Sequence, residues 1–121
     1  KKIRIAVEGV YIHEDLILYR VVLSNASHIP FDIESIRFSV RDNQRVKRSA
    51  TQQEEIFPVH KQRQIDSIDG QSQSAMVLAF KTFMIPDTKR FDIDLAEKSG
   101  GRNITLSLRG SDILKAKPIL K

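Results

Sequence analysis

The sequence predicts an all-β fold, an antiparallel immunoglobulin-like β-sandwich of about seven strands. Apolar and polar residues alternate in several short runs, which is the period-two pattern of a strand with one face on a core. Turn-forming residues recur roughly every 8 to 12 residues, and no helical period lasts longer than a turn or two. Because the chain has no Cys and no Trp, it lacks the disulfide and the buried Trp of a true immunoglobulin domain.

Three strands are predicted in the N-terminal part of the chain. Residues 3–7 alternate between apolar and polar side chains until Gly9 interrupts the pattern. Residues 16–23 are almost continuously apolar, which is typical of a central strand flanked on both sides. Within residues 31–42 the apolar positions slip by one near Glu34, which predicts either a β-bulge or a strand that bends from one sheet to the other.

The middle of the chain, residues 45–74, is polar and rich in Gln, with short apolar islands at residues 56–57 and 65–68. A structureless loop of this length is unusual in a compact domain. We therefore expect the two islands to form short edge strands.

Three further strands and a hairpin are predicted in the C-terminal part. Residues 76–80, 91–95 and 104–108 each place apolar side chains at alternate positions. Residues 99–102, Ser-Gly-Gly-Arg, are typical of a hairpin turn because glycine reaches the positive φ values that tight hairpins require.

Length and composition favour one folded domain over residues 1–121. The hydrophobic fraction is 40% and the charged fraction 29%, an ordinary globular balance. No apolar run approaches the roughly 18 residues of a membrane-spanning helix. Because the chain opens with Lys1-Lys2 and not with Met, we expect it to be a fragment of a longer protein.

The search for catalytic and metal-binding patterns favours a non-enzymatic chain without a cofactor. His13, Glu14 and Asp15 are three adjacent possible metal ligands, but neighbouring strand residues point to opposite faces, and a solvated hairpin turn is favoured. Asp92 and Asp94 share one strand face and could form a carboxylate pair of the glycosidase kind. A solvated outer face that discourages edge pairing is the favoured interpretation of this pair.

Net charge is +5, from 20 basic and 15 acidic residues, and part of the excess lies in the polar middle. An exposed edge strand is where a partner can add a strand by β-augmentation. A solvated edge is favoured over phosphate binding as the interpretation of this charge. If the domain binds a partner through a strand edge, the candidate edge lies in this region and comprises Arg45, Lys47, Arg48, Ile56, Phe57, Lys61, Arg63 and Ile65.

Three segments, residues 25–42, 47–59 and 80–108, resemble the C-terminal domain of the TraN proteins of Bacteroides-type conjugative transposons. The most characteristic elements are the Pro-Phe-Asp-Ile run at residues 30–33, followed by Ile-Arg-Phe, and two later turns. These turns are Ile-Pro-Asp-x-Lys at residues 85–89 and Glu-Lys-x-Gly-Gly-Arg at residues 97–102.

This resemblance implies a structural component of a conjugative, type IV secretion-like apparatus in the cell envelope. It implies a periplasmic location at the outer membrane, other transfer-apparatus proteins as partners, including a small outer-membrane lipoprotein, and a multimeric assembly. It implies no enzymatic activity.

Two other classes of binding protein stay open from the residues alone. A carbohydrate-binding sandwich is disfavoured because aromatic platforms are scarce, with no Trp and two Tyr. A nonspecific nucleic-acid-binding module would use the positive charge, and its binding would weaken steeply with salt. No sequence-specific nucleic-acid recognition is predicted.

Overall fold

The computed structural model describes residues 2–43, 53–83 and 85–110, together with the backbone of residues 117–118. Strands supply nearly all the regular structure of these residues, and one short 3₁₀ turn spans Lys98–Gly100. The strands are β1 Ile3–His13, β2 Leu16–Asn25, β3 Phe31–Asp42, β4 Gln53–Ile56, β5 His60–Gln62, β6 Ser67–Ile68, β7 Ser72–Lys81, β8 Lys89–Glu97, β9 Asn103–Leu108 and β10 Lys117–Pro118.

The first sheet has the strand order β10-β1-β2-β7-β5. Strand β2 lies at its centre and pairs in antiparallel register along its whole length with β7, as its nearly continuous apolar sequence predicts. A two-residue turn at Glu14 and Asp15 joins β1 to β2, with φ 55° at Glu14. The register between these strands shifts between Val7 and Gly9, so the interruption at Gly9 corresponds to a β-bulge.

The second sheet has the strand order β4-β3-β8-β9, with β6 pairing to the first residues of β3. Its β3–β8 register shifts between Ile33 and Ser35. This shift is the β-bulge that the phase slip near Glu34 predicts, and it lets both halves of β3 keep their apolar side chains on the core.

The two sheets pack face to face through aromatic side chains contributed by both. Tyr19 and Phe80 come from the first sheet, and Phe38 and Phe91 come from the second. The ring centroids of Phe38 and Phe80 are 5.1 Å apart, and those of Tyr19 and Phe91 are 5.5 Å apart. Edge-to-face and tilted pairs at such distances contribute beyond the area they bury. The architecture is therefore an all-β sandwich, antiparallel except for the short parallel pairing of β1 with β10, and its core is the layer between the sheets.

The predicted edge strands of the polar middle are confirmed only in part. Ile56 ends β4, whereas Phe57 lies beyond that strand. Ile68 is in β6 but is fully buried, and Ile65 lies outside any strand. Strand β5 has no apolar residue and is not predicted by the apolar pattern. The strand number also differs from about seven, because four of the ten described strands have four residues or fewer.

Truncating the centre of the aromatic layer should destabilise the whole domain. Phe91 is fully buried and its ring contacts aromatic rings from both sheets. We expect Phe91→Ala to lower the free energy of unfolding by about 3 to 5 kcal/mol, measured by urea denaturation. The matched change Phe57→Ala removes a ring that is 71% exposed, and it should cost within about 0.5 kcal/mol. Equal losses for the two variants would contradict this account of the core.

Candidate functional site

An exposed apolar pair lies where the chain crosses from the second sheet to the first. Strand β4 is an edge of the second sheet and β5 is an edge of the first. Between them Phe57 is 71% exposed and Val59 is 54% exposed. Pro58, between these two residues, has no backbone N–H and limits continuous pairing, while the N–H of Val59 donates to the carbonyl of Ala79 at 2.8 Å. The crossover is therefore anchored at its end but presents two apolar side chains to solvent.

A groove of about 270 Å³ lies on the same side of the sandwich. Lys61 and Arg63 line it from the segment after the crossover, and Ile33 and Ile36 line it from β3. The groove also reaches side chains of the core layer, among them Met76. It can therefore accept an apolar side chain, and its lining carries two cations, Lys61 and Arg63, and two carboxylates, Glu34 and Asp66.

The backbone that carries the groove's cations has an unusual conformation. Arg63 has φ 72°, in the left-handed region that non-glycine residues adopt at a cost. The following residues are tied to the second sheet, because the N–H of Ile33 donates to the carbonyl of Asp66 at 2.9 Å. Gln64 also donates a long hydrogen bond, 3.4 Å, to the carboxylate of Asp66. These contacts define the direction in which the chain leaves β5.

Five of the sequence-predicted edge residues lie along this crossover and groove. They are Ile56, Phe57, Lys61, Arg63 and Ile65. The other three, Arg45, Lys47 and Arg48, lie outside the described residues. The prediction missed Val59, although the Phe-Pro-Val sequence in a polar region is a signal for it, since proline separates two apolar residues that cannot both continue a strand.

The outer face of the second sheet carries an ion-pair network around Asp92. This residue is only 1% exposed. Its carboxylate accepts hydrogen bonds from the Arg90 Nε at 3.1 Å and from the Ser107 hydroxyl at 2.6 Å. Arg41 lies beside it, with its Nη1 3.6 Å from Asp92 and its Nη2 3.1 Å from Asp94.

The favoured interpretation of this carboxylate pair as a solvated face is therefore wrong for Asp92. The long side chains of Arg41 and Arg90 cover it, as arginine stems commonly cover neighbouring surface. In addition, β8 lies between β3 and β9 and is not an edge strand. Each described polar contact of Asp92 and Asp94 comes from a hydrogen-bond donor or a cation, an arrangement that stabilises the sheet.

A second, partly exposed polar contact joins the β8–β9 hairpin to the start of β3. The Arg102 guanidinium donates to both carboxylate oxygens of Glu97, at 2.9 and 2.7 Å. Its carbon lies 5.0 Å from the centroid of the Phe31 ring, and it also donates to the carbonyl of Pro30 at 3.2 Å. The predicted hairpin turn is confirmed, with φ 62° at Ser99.

This contact changes the titration of the carboxylate. The hydrogen bonds from the Arg102 side chain and backbone N–H hold the pKa of Glu97 at about 2, well below its ordinary value of 4.5. The side-chain hydrogen bonds to Glu97 also raise the pKa of Arg102. Both shifts favour the charged forms, as expected for a bidentate arginine–carboxylate pair.

The loop between β2 and β3 is held by the side chain of Asn25, which is 1% exposed. Its amide nitrogen donates to the carbonyls of Ile29 at 2.8 Å and Ile68 at 3.1 Å. Its amide oxygen accepts from the backbone and the hydroxyl of Ser27. Asn25 thus makes four hydrogen bonds at the point where the chain passes from one sheet to the other.

The described residues contain no group of three His, Cys, Asp or Glu side chains placed to hold a metal ion. His13 and Glu14 approach within 3.5 Å in the exposed β1–β2 turn. Among the same residues, no helix has the length and apolar character needed to cross a membrane.

Fold and site together define an all-β sandwich domain with an exposed apolar crossover at one side. Residues 1–118 match a family described as a domain of unknown function, DUF4138, and the chain belongs to this family. No curated protein matches the sequence.

Protonation of Glu97 should destabilise the domain in acid. Because the folded-state pKa lies below the ordinary value, the contribution of the Glu97–Arg102 pair is fully present above about pH 4.5 and is lost towards pH 2. Urea denaturation across this range should show that Glu97→Gln has a smaller loss of stability on acidification than the unmodified chain. Glu54→Gln, at an exposed position of β4, is the control and should retain the full loss. An unchanged pH profile for Glu97→Gln would contradict the assignment.

Removing the buried carboxylate of the second sheet should deprive Arg41 and Arg90 of one partner each, although Arg41 keeps Asp94 and Arg90 keeps the carbonyl of Asp42. We expect Asp92→Ala to lower the free energy of unfolding by about 1.5 to 3 kcal/mol, because hydrogen bonds to charged groups are lost. Asp94→Ala should cost less, since the Asp94 side chain is 27% exposed and water replaces its contacts. Urea denaturation of both variants tests this order, and a larger cost for Asp94→Ala would contradict it.

Proposed function

We propose that this chain is a non-enzymatic structural component of a conjugative, type IV secretion-like transfer apparatus and acts by binding other proteins. The observation that carries the proposal is the exposed pair Phe57 and Val59 between two edge strands. Exposed apolar side chains beside a groove are typical of binding anchors, because burial in a partner then contributes most of the affinity.

The resemblance to the TraN C-terminal domain supports the choice of apparatus. Two of its characteristic elements, residues 30–33 and 97–102, contact each other through Arg102, Phe31 and Pro30. The motifs that carry the resemblance thus include residues that hold the hairpin against β3. On this basis the proposed location is the periplasm at the outer membrane, with other transfer proteins and a small lipoprotein as partners.

The strand order supports an immunoglobulin-like topology for this component. In the immunoglobulin fold one sheet has the order A-B-E-D and the other contains C-F-G. Strands β1-β2-β7-β5 fit the first order, and β3-β8-β9 fit the second, with β4 as an added strand beside β3. In this correspondence β5 takes the position of strand D. The proposed binding edge then lies where the chain crosses from the added strand β4 to β5.

The proposed contact combines an apolar anchor with strand addition. Strand β5 pairs with only three residues of β7, His60 opposite Ala79 being the first. The outer edge of β5 has no partner strand among the described residues, so an extended segment of a partner can pair there. Phe57 and Val59 would pack against that segment, and Lys61 and Arg63 would lie beside its acidic groups.

Charge at the crossover should abolish partner capture without unfolding the domain. The test uses the full-length protein, tagged in its host, extracted in mild detergent and analysed by mass spectrometry. We expect the double variant Phe57→Asp and Val59→Asp to lose co-purifying transfer proteins, because a carboxylate opposes apolar burial. The control Ile29→Asp changes a residue that is 66% exposed in the β2–β3 loop, and it should retain them.

Other outcomes of this experiment separate the competing functions. Undiminished capture by the double variant would contradict the proposed edge. A soluble, solitary protein that binds DNA with a steep dependence on salt would replace the proposal with nucleic-acid binding.

A further inference from the structure

The outer edge of β9 differs from every other sheet edge in the described part of the chain. Natural proteins protect edge strands by keeping them short, by charges, by proline or by bulges. Strand β4 has four residues and includes Glu54 and Glu55. Strand β5 has three residues, and β10 has two and contains Pro118. These edges therefore offer few unpaired backbone groups to another strand.

Strand β1 is long but is protected in three ways. It carries the exposed charged residues Arg4 and Glu8, and its register is broken by the bulge at Gly9. Its far end is paired with β10 at Tyr11 and Ile12. An added strand would therefore meet charge, a change in twist and an occupied position along this edge.

Strand β9 has none of these features. Its six residues, Asn-Ile-Thr-Leu-Ser-Leu, include no charge and no proline, and its pairing with β8 is regular from Asn103 to Leu108. No described strand pairs with its other side. An uncharged, regularly paired edge of this length is a template for strand addition.

We propose that β9 pairs in antiparallel orientation with β9 of a second copy of this chain, so that the second sheet continues through a two-fold axis. The sequence of the strand is self-complementary. With the axis at Leu106, Ile104 lies opposite Leu108 of the second copy, and Thr105 lies opposite Ser107. With the axis at Thr105, Ile104 lies opposite Leu106. In both registers Ile104 faces an apolar side chain, and no like charges oppose each other within the strand. With the axis at Thr105, Leu108 lies opposite Arg102, which precedes the strand.

The surroundings of β9 favour pairing with a second copy of the chain. An apolar groove of about 430 Å³ lies at the start of β9, between Ile3 and Ile104, with Lys2, Arg102 and Asn103 at its rim. In the paired strands Ile104 would be covered by Leu106 or Leu108 of the second copy. This surface is distinct from the β4–β5 crossover, since β4 and β9 are opposite edges of the second sheet. The inference therefore does not depend on the proposed function.

The oligomeric state of the 121-residue chain tests the proposal. Light scattering after size exclusion, from about 10 µM to about 500 µM, should show the mass rising from 13.8 kDa towards twice that value. Thr105→Lys places two like charges near the axis and should weaken association about fivefold. Gln53→Lys adds the same charge at an exposed position of β4, the opposite edge of the sheet, and should associate normally. Circular dichroism confirms that each variant is folded.

Cross-linking gives a second and independent measurement. Because the chain has no Cys, a single introduced cysteine reports one position. Under mild oxidation Leu106→Cys should form a disulfide-linked dimer if the axis lies at Leu106, and Thr105→Cys should do so if the axis lies at Thr105. Gln53→Cys should stay uncoupled. A constant monomer mass at all concentrations, or equal cross-linking of all three variants, would overturn the proposal.

Discussion

The structure depends on the packing of two sheets through one aromatic layer. Phe80 of the first sheet and Phe91 of the second have ring centroids 5.7 Å apart in an edge-to-face arrangement, and both are almost completely buried. The chain has no Cys, so no disulfide joins the sheets in place of this contact. The bulge in β3 at Ile33 and Ser35 matters for the same reason, because without it half of β3 would turn its apolar side chains away from the layer.

Polar contacts determine how the chain passes between the sheets that this layer holds together. Asn25 and the Glu97–Arg102 pair act at neighbouring points, since Arg102 donates to Ser27 at 3.3 Å and Ser27 donates to Asn25. A buried amide whose hydrogen bonds reach both its own loop and the distant carbonyl of Ile68 fixes a loop conformation more specifically than apolar packing does. The loop that carries the exposed Ile29 therefore starts and ends on fixed residues. Because the loop is held in this way, Ile29→Asp is a suitable control for adding a negative charge at an exposed apolar residue.

The parts of this fold that follow from local pattern could be predicted from the sequence. Residues 91–95 alternate cleanly, and residues 99–102 contain the glycines of a hairpin, so β8, β9 and their turn were predictable. Strand β5 was not, because His60, Lys61 and Gln62 have no apolar pattern, and it forms by pairing with the distant residues Val77 to Ala79.

The candidate site shows the same division between local and distant information. An apolar island in a polar region indicated Phe57, and the structure places it in solvent. Ile65 belonged to a similar island, yet it packs against the core. Likewise, the spacing of Asp92 and Asp94 showed that they share a face, but not that Arg41, from another strand, would cover one of them. The spacing of residues within one strand cannot predict burial that depends on a side chain from a distant strand.

The edges of the two sheets finally separate the surfaces by which such a domain can associate. A short edge such as β5 supplies few backbone hydrogen bonds, so binding there must gain most of its free energy from side chains such as Phe57. The longer β9 edge supplies a regular row of backbone hydrogen-bonding groups. Its side chains select a partner strand only by the alternation of apolar and polar residues. The first kind of contact suits recognition of one particular partner, and the second suits repetition of identical subunits. Because β4 and β9 lie at opposite edges of one sheet, both contacts can form at the same time without competing for the same backbone groups.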